Sequence, residues 1–103
     1  MDELKISWTQ TAIKQRNSIF RYWNKRNRSM TYSKKLNNAI KARVNLLKSQ
    51  PNIGKETELS GVKMISMRHY AIFYALKEES IFIISFWDNR QNPEKLLTHL
   101  KEE

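Results

Sequence analysis

Apolar positions follow two regimes along the chain: helical spacing before Lys55 and alternation after it. Lys5-Ile6-Ser7-Trp8 alternates and predicts a short first strand. Thr9 or Thr11 can then cap a helix. Its apolar side carries Ile13, Phe20 and Trp23, flanked by Ala12 and Ile19, and it should run to about Lys25. A polar break over residues 24–29 follows, and Ser29 or Thr31 can cap a second helix. Leu36, Ile40, Val44 and Leu47 stand at i, i+4, i+8 and i+11 and form its apolar stripe, widened by Tyr32, Ala39 and Leu46. Pro51 ends this helix, and Asn52 and Gly54 complete the turn. Two helices joined by a short loop predict an antiparallel hairpin.

Beyond Lys55 the period is two. Residues 62–67 read as a strand. Tyr70, Ile72, Tyr74 and Leu76 alternate with Ala71, Phe73 and Ala75 on the next, and Lys77-Glu78-Glu79-Ser80 supplies a hairpin turn. On the following strand Ile81, Ile83, Ser85 and Trp87 alternate with Phe82, Ile84 and Phe86. Both faces are apolar, which predicts a sheet covered on both sides, or on one side by a partner. Asn92 reads as a helix cap, Pro93 as a first helical residue and Glu94 as a first-turn acid, with Leu96, Leu97 and Leu100 behind them. The expected fold is α+β in a single domain over residues 1–103. A short N-terminal strand and a helical hairpin pack on an antiparallel sheet of about four strands, and a short C-terminal helix closes the chain (β-α-α-β-β-β-α).

Charge sharpens this picture. The net charge is +9, and from Leu4 to Lys55 there is no acidic residue, although that stretch holds 13 of the 19 lysines and arginines. A solvated surface normally mixes both signs. The missing acids therefore point to an anionic partner, either nucleic acid or an acidic protein. Lys34, Lys35, Lys41 and Arg43 on the second helix are the candidate RNA-phosphate contacts; the bland alternative is a solvated helical face.

Several chemistries are excluded. Without cysteine there is no thiolate site and no disulfide, which suits the cytoplasm. No apolar h-region follows Met1, so no secretion signal is expected, and no apolar run is long enough to span a bilayer. The two glycines, Gly54 and Gly61, make no phosphate-binding loop. His69 and His99 lie 30 residues apart, and Asp88 is the lone carboxylate on its strand, so neither a metal site nor a cofactor is expected.

Metal-free RNA cleavage remains open, because the 2′-hydroxyl is an internal nucleophile. It needs a base, an acid, and cations around the phosphorane. Antiparallel pairing should bring Arg68, His69 and Tyr70 beside Trp87, Asp88, Asn89 and Arg90. Arg68 and Arg90 could then grip one phosphate, with His69 as base or acid and Trp87 stacked on a base. Each has a plainer alternative: an Asp88 ion pair or Asx turn, a solvent-facing Arg68, an exposed turn histidine, and Trp87, Tyr70 and Tyr74 as core rings.

Three segments carry a resemblance to a known family: "LLKSQPNIGKETEL" after the second helix, "RHYAIFYAL" in the sheet, and "IFIISFWDNRQNPEKL" at the end. In this order and spacing the chain resembles the RelE/ParE superfamily of toxins from type II toxin–antitoxin modules. The resemblance implies a growth-inhibiting toxin neutralised by a cognate acidic antitoxin. One branch of that superfamily cleaves mRNA on the ribosome without metal; the other poisons DNA gyrase and has no nuclease chemistry. Arg68 matches the phosphate-contacting arginine of the first branch. Lys55 and Lys63 lie in the region of its catalytic lysines, and Arg90 lies where it has a second basic residue after the last strand. The chain departs from that branch in having no tyrosine or histidine shortly after the final strand. The expectation leans to the ribosome-dependent nuclease, with gyrase inhibition as the alternative.

Overall fold

The stripe Leu36, Ile40, Val44 and Leu47 is buried, and it seats a helical hairpin on one face of a five-stranded sheet. The computed structural model describes residues 4–90. Their order is β1 (Lys5–Trp8), α1 (Gln10–Asn27), α2 (Thr31–Ser49), β2 (Lys55–Glu56), β3 (Lys63–Met67), β4 (Tyr70–Lys77) and β5 (Ser80–Asp88). The expected C-terminal helix lies outside the described residues.

The sheet is mixed rather than antiparallel, in the order β1-β5-β4-β3-β2. β1 returns beside β5 in parallel, with Ile6 opposite Ile81. A parallel partner needs a long crossover, and the α1–α2 hairpin begins that connection. β2 is a two-residue addition on the outer edge of β3 and makes the fifth strand.

α1 starts at Thr9, whose Oγ1 accepts from the Ala12 amide at 3.2 Å. That hydroxyl also lies 3.2 Å from the Ile84 carbonyl oxygen, so one side chain caps the helix and ties it to β5. Ala12, rather than the expected Ile13, is the fully buried position. α1 continues to Asn27 and ends where Arg28 takes a left-handed φ of 51°. α2 begins without a side-chain cap, because Met30 holds the cap position; Ser29 Oγ accepts from the Thr31 amide instead. Ser33 staples the helices, its hydroxyl 3.1 Å from the Phe20 carbonyl oxygen.

The meander forms as its alternation predicts, apart from one irregularity. Opposite Phe73 and Tyr74, β5 carries an extra residue: Phe73 pairs with Ser85 but Tyr74 with Ile83. This β-bulge reverses the facing of everything after it. Phe86 therefore joins Ile81 and Ile83 in the helix-side core, while Trp87 packs with Ile84, Phe73 and Leu59 in a separate cluster. Strict alternation assigns these two rings the other way round. Gln15 of α1 supports the bulge: its Oε1 accepts from Ser85 Oγ at 2.8 Å and from the Phe86 amide at 3.0 Å.

Candidate functional site

The end of the sheet where β3 and β5 finish and β4 begins gathers Arg68, His69, Tyr70, Asp88 and Arg90. Met67 pairs with Tyr70, leaving Arg68 and His69 as a two-residue hairpin loop. Arg68 sits there with φ 56°, a conformation that suits a tight hairpin but is costly for a residue with a Cβ. Tyr70 pairs with Asp88, and the Asn89 amide donates to the His69 carbonyl at 2.7 Å. The two segments meet as the pairing rule requires.

Asp88 organises this end. Its Oδ1 accepts from Arg90 Nε at 2.9 Å and from the Arg90 amide at 2.9 Å, and its Oδ2 accepts from Arg90 Nη2 at 2.7 Å. The result is an Asx turn closed by a bidentate ion pair. The Arg90 side-chain bonds hold the Asp88 carboxyl below the usual aspartate range, and Asp88 raises the guanidinium in turn. The Arg90 guanidinium also stands 6.0 Å from the ring centres of both Trp23 and Tyr70.

An aromatic cluster backs the ion pair. Tyr70 is 1% exposed and stacks on Phe86 at 5.1 Å, and its hydroxyl accepts from Trp23 Nε1 at 3.0 Å. Burial pushes the Tyr70 phenol up to about 12 against a smaller lowering from the Trp23 bond. Trp23 touches Tyr32 on one side and Tyr22 on the other. The sequence puts Trp23 and Tyr32 on apolar faces but gives no sign that they meet Tyr70, because that contact joins three separate elements. Tyr74, in contrast, is purely structural: it accepts from the Gly54 amide and donates to the Pro51 carbonyl, each at 2.9 Å.

Two grooves flank the cluster. One, of about 400 Å³, runs past Tyr22, Trp23, Arg26, Asp88 and Arg90. The other, of about 450 Å³, has an apolar floor of Leu36, Met67 and Tyr70 with Lys35, Arg43 and Arg68 around it. The structure thus brings Lys35, Arg43 and Arg68 together. Lys41 lines a different groove with Arg16 and Lys48, and Lys34 is exposed on the same helix. Lys55 and Lys63 belong to the β2–β3 edge, where Lys63 lies 3.9 Å from Glu56. Lys63 stands opposite Tyr74, four residues along β3 from Met67, or about 13 Å at strand rise. His69 is exposed in its loop, and Trp87 is 7% exposed within its cluster. Among the described residues no group of three or more histidines and carboxylates is placed to hold a metal ion. No described helix is long and apolar enough to cross a membrane.

Comparison with known proteins adds to this geometry. The model of the ParE toxin of the type II toxin–antitoxin system parDE matches residues 6–93. No curated protein sequence matches the chain. Among solved structures, the chromosomal ParDE toxin–antitoxin system from P. aeruginosa shares the fold. Its TM-score is 0.72 at 17% identity, covering 82% of this chain and 95% of that one.

Proposed function

The chain belongs to the ParE toxin family of type II toxin–antitoxin systems, and we propose that it arrests growth by binding DNA gyrase rather than by cutting RNA. What supports this reading is the dispersal of the cations that a nuclease must converge on one phosphate. Lys55 and Lys63 stand at the β2–β3 edge, away from Arg68, and Arg90 is already engaged by Asp88 at both ends of its fork. Metal-free phosphoryl transfer depends on positioning, and these groups are not positioned together.

Membership of the family brings an antitoxin partner with it. We assign its docking to the groove of Lys35, Arg43 and Arg68. Three cations around an apolar, aromatic floor suit an acidic segment that inserts an apolar side chain.

Ribosome-dependent mRNA cleavage is the second reading, and the same groove favours it, because Arg68 shares its rim with two further cations. One induction experiment separates the two. The chain is expressed under tight control while mRNA 5′ ends and the SOS response are followed in parallel. The gyrase reading expects a strong SOS response, intact mRNA, and loss of supercoiling activity when purified gyrase meets the purified chain. New mRNA ends at fixed codon positions without DNA damage would overturn it.

A further inference from the structure

Lysines recur on α2 with a period that the Arg68 groove does not use. Lys34, Lys41 and Lys48 are spaced by seven residues. Seven residues are nearly two full turns, so the three drift by only about 20° per step and form one line along the helix. The line spans about 21 Å. Asn37, Asn38 and Asn45 fill the gaps between the lysines, so the stripe offers charge and amides and no carboxylate. It lies off the Leu36–Ile40–Val44–Leu47 core stripe, and Lys34 and Lys41 are exposed.

Arg16 of α1 joins this stripe. Its guanidinium lies 4.7 Å from the Trp8 ring centre, and its Nε and Nη2 donate to Asn17 Oδ1 at 3.4 and 3.3 Å. Both partners are neutral, so the group is held in place with its charge intact. It borders a shallow groove of about 220 Å³ with Asn37, Lys41, Asn45 and Lys48, floored by Ile6 and Trp8. Among the described residues only Lys63 and Arg90 pair with a carboxylate, and no described carboxylate pairs with a cation of either helix.

We propose that Arg16 and the Lys34–Lys41–Lys48 line bind the phosphate backbone of duplex DNA without reading its sequence. A straight row of point charges over about 21 Å spans about six base-pair steps along a duplex axis, where phosphates of both strands come within reach. Single strands are held by stacking on exposed aromatic faces. This stripe has none, since Arg16 already covers Trp8. The apolar floor suits a deoxyribose edge. The choice of duplex DNA over other polyanions rests on the gyrase reading, because gyrase presents such a segment.

The test is fluorescence anisotropy of the purified full chain with a 20-base-pair duplex of arbitrary sequence, titrated from 50 to 200 mM salt. Four phosphate contacts predict a log–log salt slope of about −3.6, a roughly 150-fold loss of affinity across that range. Lys41→Gln with Lys48→Gln should halve the slope, whereas Lys55→Gln, on the opposite edge of the sheet from β1, should leave it unchanged. No binding at 50 mM salt would overturn the proposal. So would a slope indifferent to the double substitution, or tighter binding to a single strand or an RNA duplex of the same length. The assay contains no gyrase, so its failure leaves the gyrase reading to the induction experiment, and a chain that binds duplex DNA but spares gyrase overturns that reading and not this one.

Discussion

Asp88 grips Arg90 through both carboxylate oxygens, at 2.9 and 2.7 Å, and the same aspartate accepts from the Arg90 backbone amide. The pair closes the end of β5 and lays the guanidinium beside Trp23 and Tyr70. Of the two readings the sequence allows for Arg90, a phosphate ligand or a partner of Asp88 in a turn, the geometry is that of the turn. An incoming anion has to compete with Asp88 for it.

Substituting Asp88→Asn should lower stability by about 1 kcal/mol at pH 7, a modest figure because the Arg90 side chain is half exposed. The Asp88 carboxyl is depressed in the folded state by its bonds to Arg90. Its contribution is therefore present above the unfolded aspartate pKa of about 3.9 and is lost as pH falls through the lower folded value. Urea midpoints measured from pH 7 down to pH 2 should differ between wild type and Asp88→Asn, and the difference should shrink as pH falls below about 3.9. A gap that persists at the acid end would show that the ion pair is not its source.

Arg68 can be removed without harming its hairpin. At φ 56° a glycine is more comfortable than any residue with a Cβ. Arg68→Gly should gain about 1 kcal/mol of stability, while Arg68→Ala keeps the strained backbone. Both should weaken antitoxin binding, measured by titration calorimetry, if the Lys35–Arg43–Arg68 groove is its dock. Unchanged affinity in the more stable glycine variant would remove that assignment cleanly.

Gln15→Leu should cost about 2 kcal/mol, because it strands the Ser85 hydroxyl and the Phe86 amide inside the protein. Ser85→Ala should cost less, since Gln15 keeps the Phe86 amide. Chemical denaturation of the two variants tests the ordering, and equal losses would argue against Gln15 as the support of the bulge.

Gly54→Ala should destabilise by about 2 kcal/mol through crowding. A Cβ there would stand 2.5 Å from Tyr74 Oη and 3.0 Å from the Met64 carbonyl oxygen. Tyr74 is fully buried and bonded to both Gly54 and Pro51, so it cannot swing aside without losing both bonds. A thermal melt suffices, and a wild-type midpoint would contradict this packing.

The helical half of the fold is legible in the sequence because its signals are local. The α2 stripe and the Thr9 cap each lie within a few turns of one element. So is the meeting of Arg68–Tyr70 with Asp88–Arg90, which follows from antiparallel pairing and a short hairpin. The faces of Phe86 and Trp87 are not legible. They are set by a single inserted residue in β5, which no alternation rule reports, and Gln15 stabilises it from 70 residues away. The parallel β1–β5 pairing is equally non-local. At the candidate site the residue types were visible, but their sorting into grooves was not. Lys35 and Lys41 are six residues apart on α2, and that separation turns them to opposite flanks of the helix.

The pairing of β1 with β5 also sets a schedule. During synthesis Thr9 emerges early, and its hydrogen-bond partner Ile84 lies 75 residues later. At roughly 5–20 residues per second, that is about 4–15 s of elongation. α1 leans on the same late strand through Gln15, so a half-made chain has helices but nothing for them to rest on. The helical hairpin therefore lacks its sheet until β5 has been made, and the two halves of the core close in a single step only then.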